Sequence, residues 1–215
     1  MAETASRLPE LHVITSGKQS LEQVLSMAEA AYAGGMSYLH IREKQRTARE
    51  YMEWVRALGE VVPASCLIVN DRADVAVASR CRGVHLAYHS LSVREARTVV
   101  AAGQSVGKSV HSLDEAIEAA AEGADYVLYG HIYPSGSKPG LAPRGTQELT
   151  AITRAVSIPV IGLGGITPER VSEVMAAGCT GVAVMSGVTA ADDVKRATLA
   201  YRMELDRFVR GGESR

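Results

Sequence analysis

IPVIGLGGITPERVSEVMAAGCTGVAVMSG, residues 158–187, holds in one stretch the unit from which the whole chain is built. PVIGLG (159–164) is a short aliphatic and β-branched run that ends in glycines. Thr167 followed by Pro168 reads as a helix start, with proline at the first helical position, where its missing N–H costs nothing. Gly178 stops that helix, and GVAVMS (181–186) begins the next strand. Moving outward, the same order recurs. The other expected strands are LHVIT (11–15), YLHIRE (38–43), CLIVN (66–70), GVHLA (83–87), SVGKSV (105–110) and YVLYG (126–130). Helix-length segments lie between them. Four open on a capping box, in which a hydroxyl accepts the third helical N–H and a Glu or Gln reaches back: Ser20 with Gln23, Thr47 with Glu50, Ser92 with Glu95, and Ser112 with Glu115. Gly34, Gly103 and Gly123 are the other expected helix stops.

Strict alternation of strand and helix implies parallel pairing through right-handed crossovers. Eight such units without a linker or composition break predict α/β class and a single (β/α)8 TIM barrel over residues 1–215, with a core of about 11–209 and polar tails at both ends. The alternative is a doubly wound open sheet. That fold would place GxGxxG after its first strand, and SGKQSLEQ, which follows Thr15, has none.

Composition narrows the function. Among 215 residues, 47% are hydrophobic and 22% charged, the profile of a folded globular chain. With 23 basic and 24 acidic side chains the net charge is −1, so no broad positive field exists to collect nucleic acid. Cys66, Cys81 and Cys179 are odd in number and lie in no CxxC pattern, which argues against a disulfide framework and a zinc site and reads as small buried residues in a reducing compartment. The polar opening MAETASRLPE and the lack of any run near 18 apolar residues predict no membrane association, and the chain is placed in the cytoplasm.

A barrel assigns its chemistry to the rim where strands end. That rim is polar here: Arg42, Glu43 and Lys44, then Asn70 and Asp71, then His89, His111, His131, Gly164 with Gly165, and Ser186 with Gly187. GLGGITPE (162–169) and VMSG (184–187) each end a strand in glycine before a helix start, where free N–H groups and the positive dipole end favour an anion. Loops after strands seven and eight are where barrels commonly hold phosphate, so Gly164, Gly165, Ser186 and Gly187 are the candidate phosphate site. Positions 38, 40 and 42 share one strand face, which turns His40 and Arg42 inward and Leu39 and Ile41 toward the helices. Arg42, with Lys44, suits a carboxylate or phosphate; a structural ion pair with Glu43 or Asp71 is the competing reading. His131 ends the sixth strand beside an irregular loop, the position of a candidate acid–base. His85 reads as filling barrel space, and His12, His89 and His111 as structural or supporting residues. Asp71 alone is weak ground for magnesium, and Asp74, on the next helix, reads as a solvated or capping charge. No nucleophile motif such as GxSxG occurs.

HIREK, NDRAD, GVHLA, KSVHSLDEA, GADYVLYGHIYPSGSKPG, IPVIGLGGITPE and GVAVMSG together resemble the thiamine phosphate synthase superfamily from about Leu11 to Tyr201. Within it they are most similar to the TenI family of thiazole tautomerases. The resemblance implies a (β/α)8 barrel and an isomerase of thiamine biosynthesis. Three departures from the synthase pattern bear on the choice. His40 stands for the glutamine of QxREK; Ser90 replaces the aspartate of GxHxGQxD that helps bind magnesium pyrophosphate, while Asp71 is kept; and GHIYPSGSK puts His131 at a proline and Ser135 and Ser137 at threonines, with Lys138 retained. His131 then corresponds to the tautomerase proton shuttle. The implied reaction converts a carboxylated thiazole phosphate tautomer to its aromatic isomer without a cofactor or metal. Phosphate would rest on Gly164, Gly165, Ser186 and Gly187 under Ser135 and Lys138. Arg42 and Lys44 would take the carboxylate, and Asn70 would contact substrate. The partner is this small molecule, and a homodimer is the family-level expectation. The alternatives are a magnesium-dependent thiamine phosphate synthase, or a non-catalytic regulator that binds a phosphorylated ligand.

Overall fold

A computed structural model describes residues 8–136 and 140–212. Eight parallel strands close on themselves in sequence order: β1 Glu10–Ile14, β2 Tyr38–Ile41, β3 Leu67–Asn70, β4 Gly83–Leu86, β5 Ser105–Val110, β6 Tyr126–Gly130, β7 Val160–Leu163 and β8 Gly181–Val184. β8 pairs back on β1, with Glu10 opposite Gly181 and Val13 opposite Val184. The helices are α1 Leu21–Ala33, α2 Ala48–Gly59, α3 Ala73–Ser79, α4 Val93–Val99, α5 Leu113–Ala121, α6 Gly145–Ala155, α7 Val171–Ala176, the short α8 Ser186–Thr189, and α9 Val194–Gly212. This is the (β/α)8 barrel that the alternation predicts.

The period-two alternation along each strand sorts the buried residues into two cores. Leu11, Val13, Leu39, Ile41, Leu67, Val69, Val84 and Leu86 face outward and pack with the helices into one large cluster. Ile14, Ile68, Tyr126, Leu128, Ile161 and Ala183 face inward and form a smaller one, with Tyr38 against it. The inward face also holds His12, His40 and His85, all buried. Space for these rings comes partly from Gly107, where a Cβ would lie 2.1 Å from the Tyr126 ring.

Local signals act largely as read. Ser20, Thr47 and Ser92 close complete capping boxes on α1, α2 and α4. Ser112 differs. Its hydroxyl accepts the Glu115 N–H, but the Glu115 carboxylate takes the N–H of His111, one residue further back, at 2.7 Å. Thr167 and Pro168 open a 3-10 turn, Pro168–Arg170, ahead of α7, without a capping bond from the Thr167 hydroxyl. Gly34 and Gly123 follow their helices closely, whereas α4 is ended by Val100 in extended conformation, which leaves Gly103 further along in the turn. Replacing Thr47 by alanine strands the Glu50 N–H and is expected to cost about 1 kcal/mol. That is roughly 2–4 °C in Tm for a chain of this size, read by thermal denaturation.

All described cysteines are free; Cys81 and Cys179 are buried, and Cys66 is only half-buried. Asp74 sits on α3, mostly exposed, paired with Arg72 at 2.5 Å. No helix of the described residues is long and apolar enough to cross a membrane.

Candidate active site

The inward strand faces end in a cavity of about 380 Å³ at the C-terminal mouth of the barrel, within the size range of small-molecule sites. Arg42, Lys44, Asn70, His131, Ser135, Gly164, Gly165, Ser186 and Gly187 all line it. Lys138, with Ser137, lies outside the described residues. His89 and His111 sit at the same rim, and His40 and His85, carried within strands, form part of its floor with Ile14, Leu128 and Ala183. Strand face alone makes the two floor histidines interior residues; only closure of the barrel brings them under the rim groups.

Arg42 and Asn70 are positioned by a residue that no motif marks. The Tyr51 hydroxyl, reaching in from α2, donates to the Ile41 carbonyl and accepts the Asn70 N–H at 3.2 Å, which joins the ends of β2 and β3. The Arg42 N–H donates to the Thr15 hydroxyl at 2.8 Å, and that hydroxyl donates to Glu43 at 2.8 Å. Glu43 faces Arg46 at 3.7 Å rather than Arg42. Burial raises its carboxyl above the ordinary range, against the lowering influence of Thr15, Arg46 and Arg42. No ion pair joins Arg42 or Lys44 to Glu43 or Asp71 among the described residues, and both cations line the cavity.

His131 is buried, and its Nε2 lies 3.3 Å from the Leu141 carbonyl. A carbonyl only accepts, so that nitrogen carries the proton. The other nitrogen, Nδ1, is buried and has no hydrogen-bond partner among the described residues. Its loop is tied at both ends, with Arg144 N–H on the His131 carbonyl and Gly145 N–H on the Ile132 carbonyl, both at 3.0 Å.

The glycines after β7 also have a packing role. Gly164 and Gly165 have φ of +100° and +65°, and a Cβ on Gly164 would lie 2.4 Å from the His131 Cβ. On Gly165 it would lie 2.4 Å from the Pro134 carbonyl. Their missing side chains therefore let the loop after β6 lie against the loop after β7, with the Tyr133 N–H donating to the Gly164 carbonyl at 3.0 Å. Gly187 likewise admits the Tyr201 hydroxyl of α9, which donates to the Ile166 carbonyl at 3.0 Å. Tyr201 thus braces the turns after β7 and β8 together. α8 opens at Ser186, so the first N–H groups of that turn have no intrahelical acceptor and are available to an anion.

Asp71 and Ser90 are paired to each other. Ser90 donates to Asp71 Oδ1 at 2.5 Å while accepting the Ala87 N–H at 2.8 Å, and His89 Nε2 stands 3.6 Å from Oδ2. Neither Asp71 nor Ser90 lines the cavity. This donor set falls short of the paired carboxylates that the resemblance ascribes to a synthase: one carboxylate remains, and one of its oxygens is already engaged. No group of three or more His, Cys, Asp or Glu converges on a metal position among the described residues.

Fold and cavity together define the class, a (β/α)8 barrel with a small-molecule site at its strand ends. The sequence model described as thiamine monophosphate synthase, TMP-TENI, matches residues 11–188. Thiamine-phosphate synthase of Haloquadratum walsbyi is 41% identical over 201 residues, covering 89% of this chain and 86% of that one. The same enzyme of Methanoculleus marisnigri is 41% identical over 179 residues, 82% and 85% of the two chains. A solved thiamine phosphate pyrophosphorylase from Pyrococcus furiosus superposes with a TM-score of 0.83 at 32% identity, covering 95% of this chain and 98% of that one. The chain belongs to the TMP-TENI family, within the thiamine phosphate synthase superfamily. These relatives carry the name of the transferase alternative rather than that of a tautomerase.

Proposed function

We propose that this chain is a cofactor-independent thiazole tautomerase, converting the carboxylated thiazole phosphate tautomer to aromatic 2-(2-carboxy-4-methylthiazol-5-yl)ethyl phosphate. The observation that carries the reading is the His131 imidazole in the cavity wall, with Nε2–H committed to Leu141 and Nδ1 without a partner among the described residues. A neutral imidazole nitrogen left as an acceptor without a donor can serve as a base once the ring turns it from its buried position to the cavity. His131 Nδ1 would take the proton from the ring carbon that bears the carboxylate and return one to the exocyclic carbon. Aromatisation supplies the driving force.

The remaining assignments follow the lining. Gly164, Gly165, Ser186 and Gly187 would hold the phosphate, with Ser135 and Lys138 over it, and Arg42 and Lys44 the carboxylate; Asn70 borders the ring between them. Anions fixed at the rim leave the heterocycle to reach inward, and holding it there against a fixed base is most of what the reaction needs.

The second reading is the magnesium-dependent synthase, favoured by the names of the relatives at 41% identity. Asp71 separates the two. Its φ of +68° suits asparagine, so Asp71→Asn keeps the backbone and the Ser90 contact while removing the carboxylate charge. Thiazole tautomer turnover, followed by NMR or ultraviolet absorbance, is expected to be unchanged by EDTA and by Asp71→Asn. Magnesium-dependent joining of a pyrimidine pyrophosphate to thiazole phosphate, lost in Asp71→Asn, would replace the proposal with the synthase.

A further inference from the structure

Beneath the rim groups lies a set of titratable side chains that the mechanism above does not use. His12 Nε2 is 3.1 Å from Glu10 Oε2, and His12 Nδ1 is 2.8 Å from His40 Nε2. The chain runs from Glu10, at the start of β1 and partly exposed at the far end of the barrel, to His40 in the cavity floor. Its neighbours are aromatic and close: the His12 ring lies 5.0 Å from Tyr38 and 5.7 Å from Tyr126, and His40 lies 5.1 Å from His85. His85 is engaged separately, with Nε2 on the Ser109 hydroxyl at 2.8 Å and Nδ1 on the Tyr126 hydroxyl at 3.3 Å.

The order of donors in this chain follows from one fact: an ionised carboxylate can only accept. Glu10 therefore takes the proton of His12 Nε2. With a single N–H on His12, committed to Glu10, its Nδ1 is an acceptor, and the 2.8 Å contact is then filled by the proton on His40 Nε2. His40 is then left with a lone pair on Nδ1, a nitrogen with no hydrogen bond among the described residues, on a ring that forms part of the cavity floor. Burial first, and then the facing His12 and His85, holds His40 well below the ordinary imidazole range. Burial, helped by His12 and Lys108, brings His85 down to about 3. Both rings are neutral at pH 7, so neither adds a positive charge to the floor.

We propose that Glu10, His12 and His40 form a polarised relay that sets the His40 Nδ1 lone pair as an acceptor at the cavity floor, making His40 an orientation- and specificity-determining residue. An acceptor there admits an N–H, O–H or polarised C–H edge and turns away carboxylate and phosphate oxygens. A doubly anionic ligand is thereby bound one way round, with both anionic groups at the rim near Arg42, Lys44 and the glycine turns. Glu10 and His12 are positioning residues that act through His40. The tautomer assignment stands without the tautomerase reading; only the ligand's identity rests on it.

Long-range proton–nitrogen spectra of the full chain labelled with 15N-histidine test the relay at pH 7.5, with signals assigned by His12→Gln and His40→Gln. The expected result is that His12 and His40 are both neutral and both protonated on Nε2, and that Glu10→Gln moves the shifts of both rings, because a side-chain amide can donate to His12 as well as accept. A His40 proton on Nδ1 in the wild type, or shifts of both rings unmoved in Glu10→Gln, overturns the proposal. In turnover of the thiazole carboxylate, Glu10→Gln is expected to raise KM several-fold with kcat held. If the wild type turns over no thiazole, the tautomerase reading fails while the spectra still decide the relay.

Discussion

His131→Asn is expected to lower kcat for thiazole tautomerisation by about 10²–10⁴, the usual contribution of a positioned acid–base group. Asparagine is the informative substitution because it keeps a polar amide of modest size at the strand end yet has no basic nitrogen. KM should change little, since the anionic groups are held by Arg42, Lys44 and the turns after β7 and β8 rather than by the imidazole. Steady-state rates of both proteins, with a thermal melt to show equal folding, make the comparison. Undiminished kcat in His131→Asn would remove this residue from the chemistry, whatever the reaction turns out to be.

The second large effect is expected from Gly164→Ala, at a position with no side chain to take part in the reaction. A φ of +100° is strained for any residue with a Cβ, at a cost on the order of 1–3 kcal/mol. The added methyl would also stand 2.4 Å from the His131 Cβ and 2.7 Å from its Cα. Neither atom is the end of a flexible side chain, so the strand end that carries the base must shift. The variant is expected to melt roughly 2–12 °C lower and to lose kcat together with stability. Gly136→Ala is the control: it lies in the same loop, has no atom near its Cβ position and no left-handed φ, and should behave as wild type. If Gly164→Ala folds and turns over normally, the contact between the two loops does not hold His131 in place.

Much of this molecule is set by short-range pattern. Strand periodicity at Tyr38, His40 and Arg42 against Leu39 and Ile41 is enough to assign inner and outer faces, because a two-residue repeat leaves a strand no other choice. The Ser20, Thr47 and Ser92 boxes are decided within four residues. The polar rim was legible for the same reason: in a barrel, the residues after each strand have one place to go, and Arg42, Asn70, His131 and Ser186 all reach the cavity. The position of a glycine is legible in sequence, but the full set of atoms that its missing side chain admits is not. At Gly164 and Gly165 the glycines signal a close approach, and the loop from His131 to Pro134 is one partner that only the structure reveals.

What the sequence alone determined is the barrel, the inward face of each strand and the set of side chains at its mouth, since all of these follow from repeats and caps that act over a few residues. Only the tertiary structure decided which of those side chains are already satisfied and which are left for a ligand. Ser90 reaches Asp71 across 19 positions, and His12 meets His40 across 28. The direction of each hydrogen bond in such a pair depends on the partner's own partner, so no local spacing encodes it. A carboxylate at one end of the barrel can thus fix the proton on an imidazole at the other only after the strands have closed.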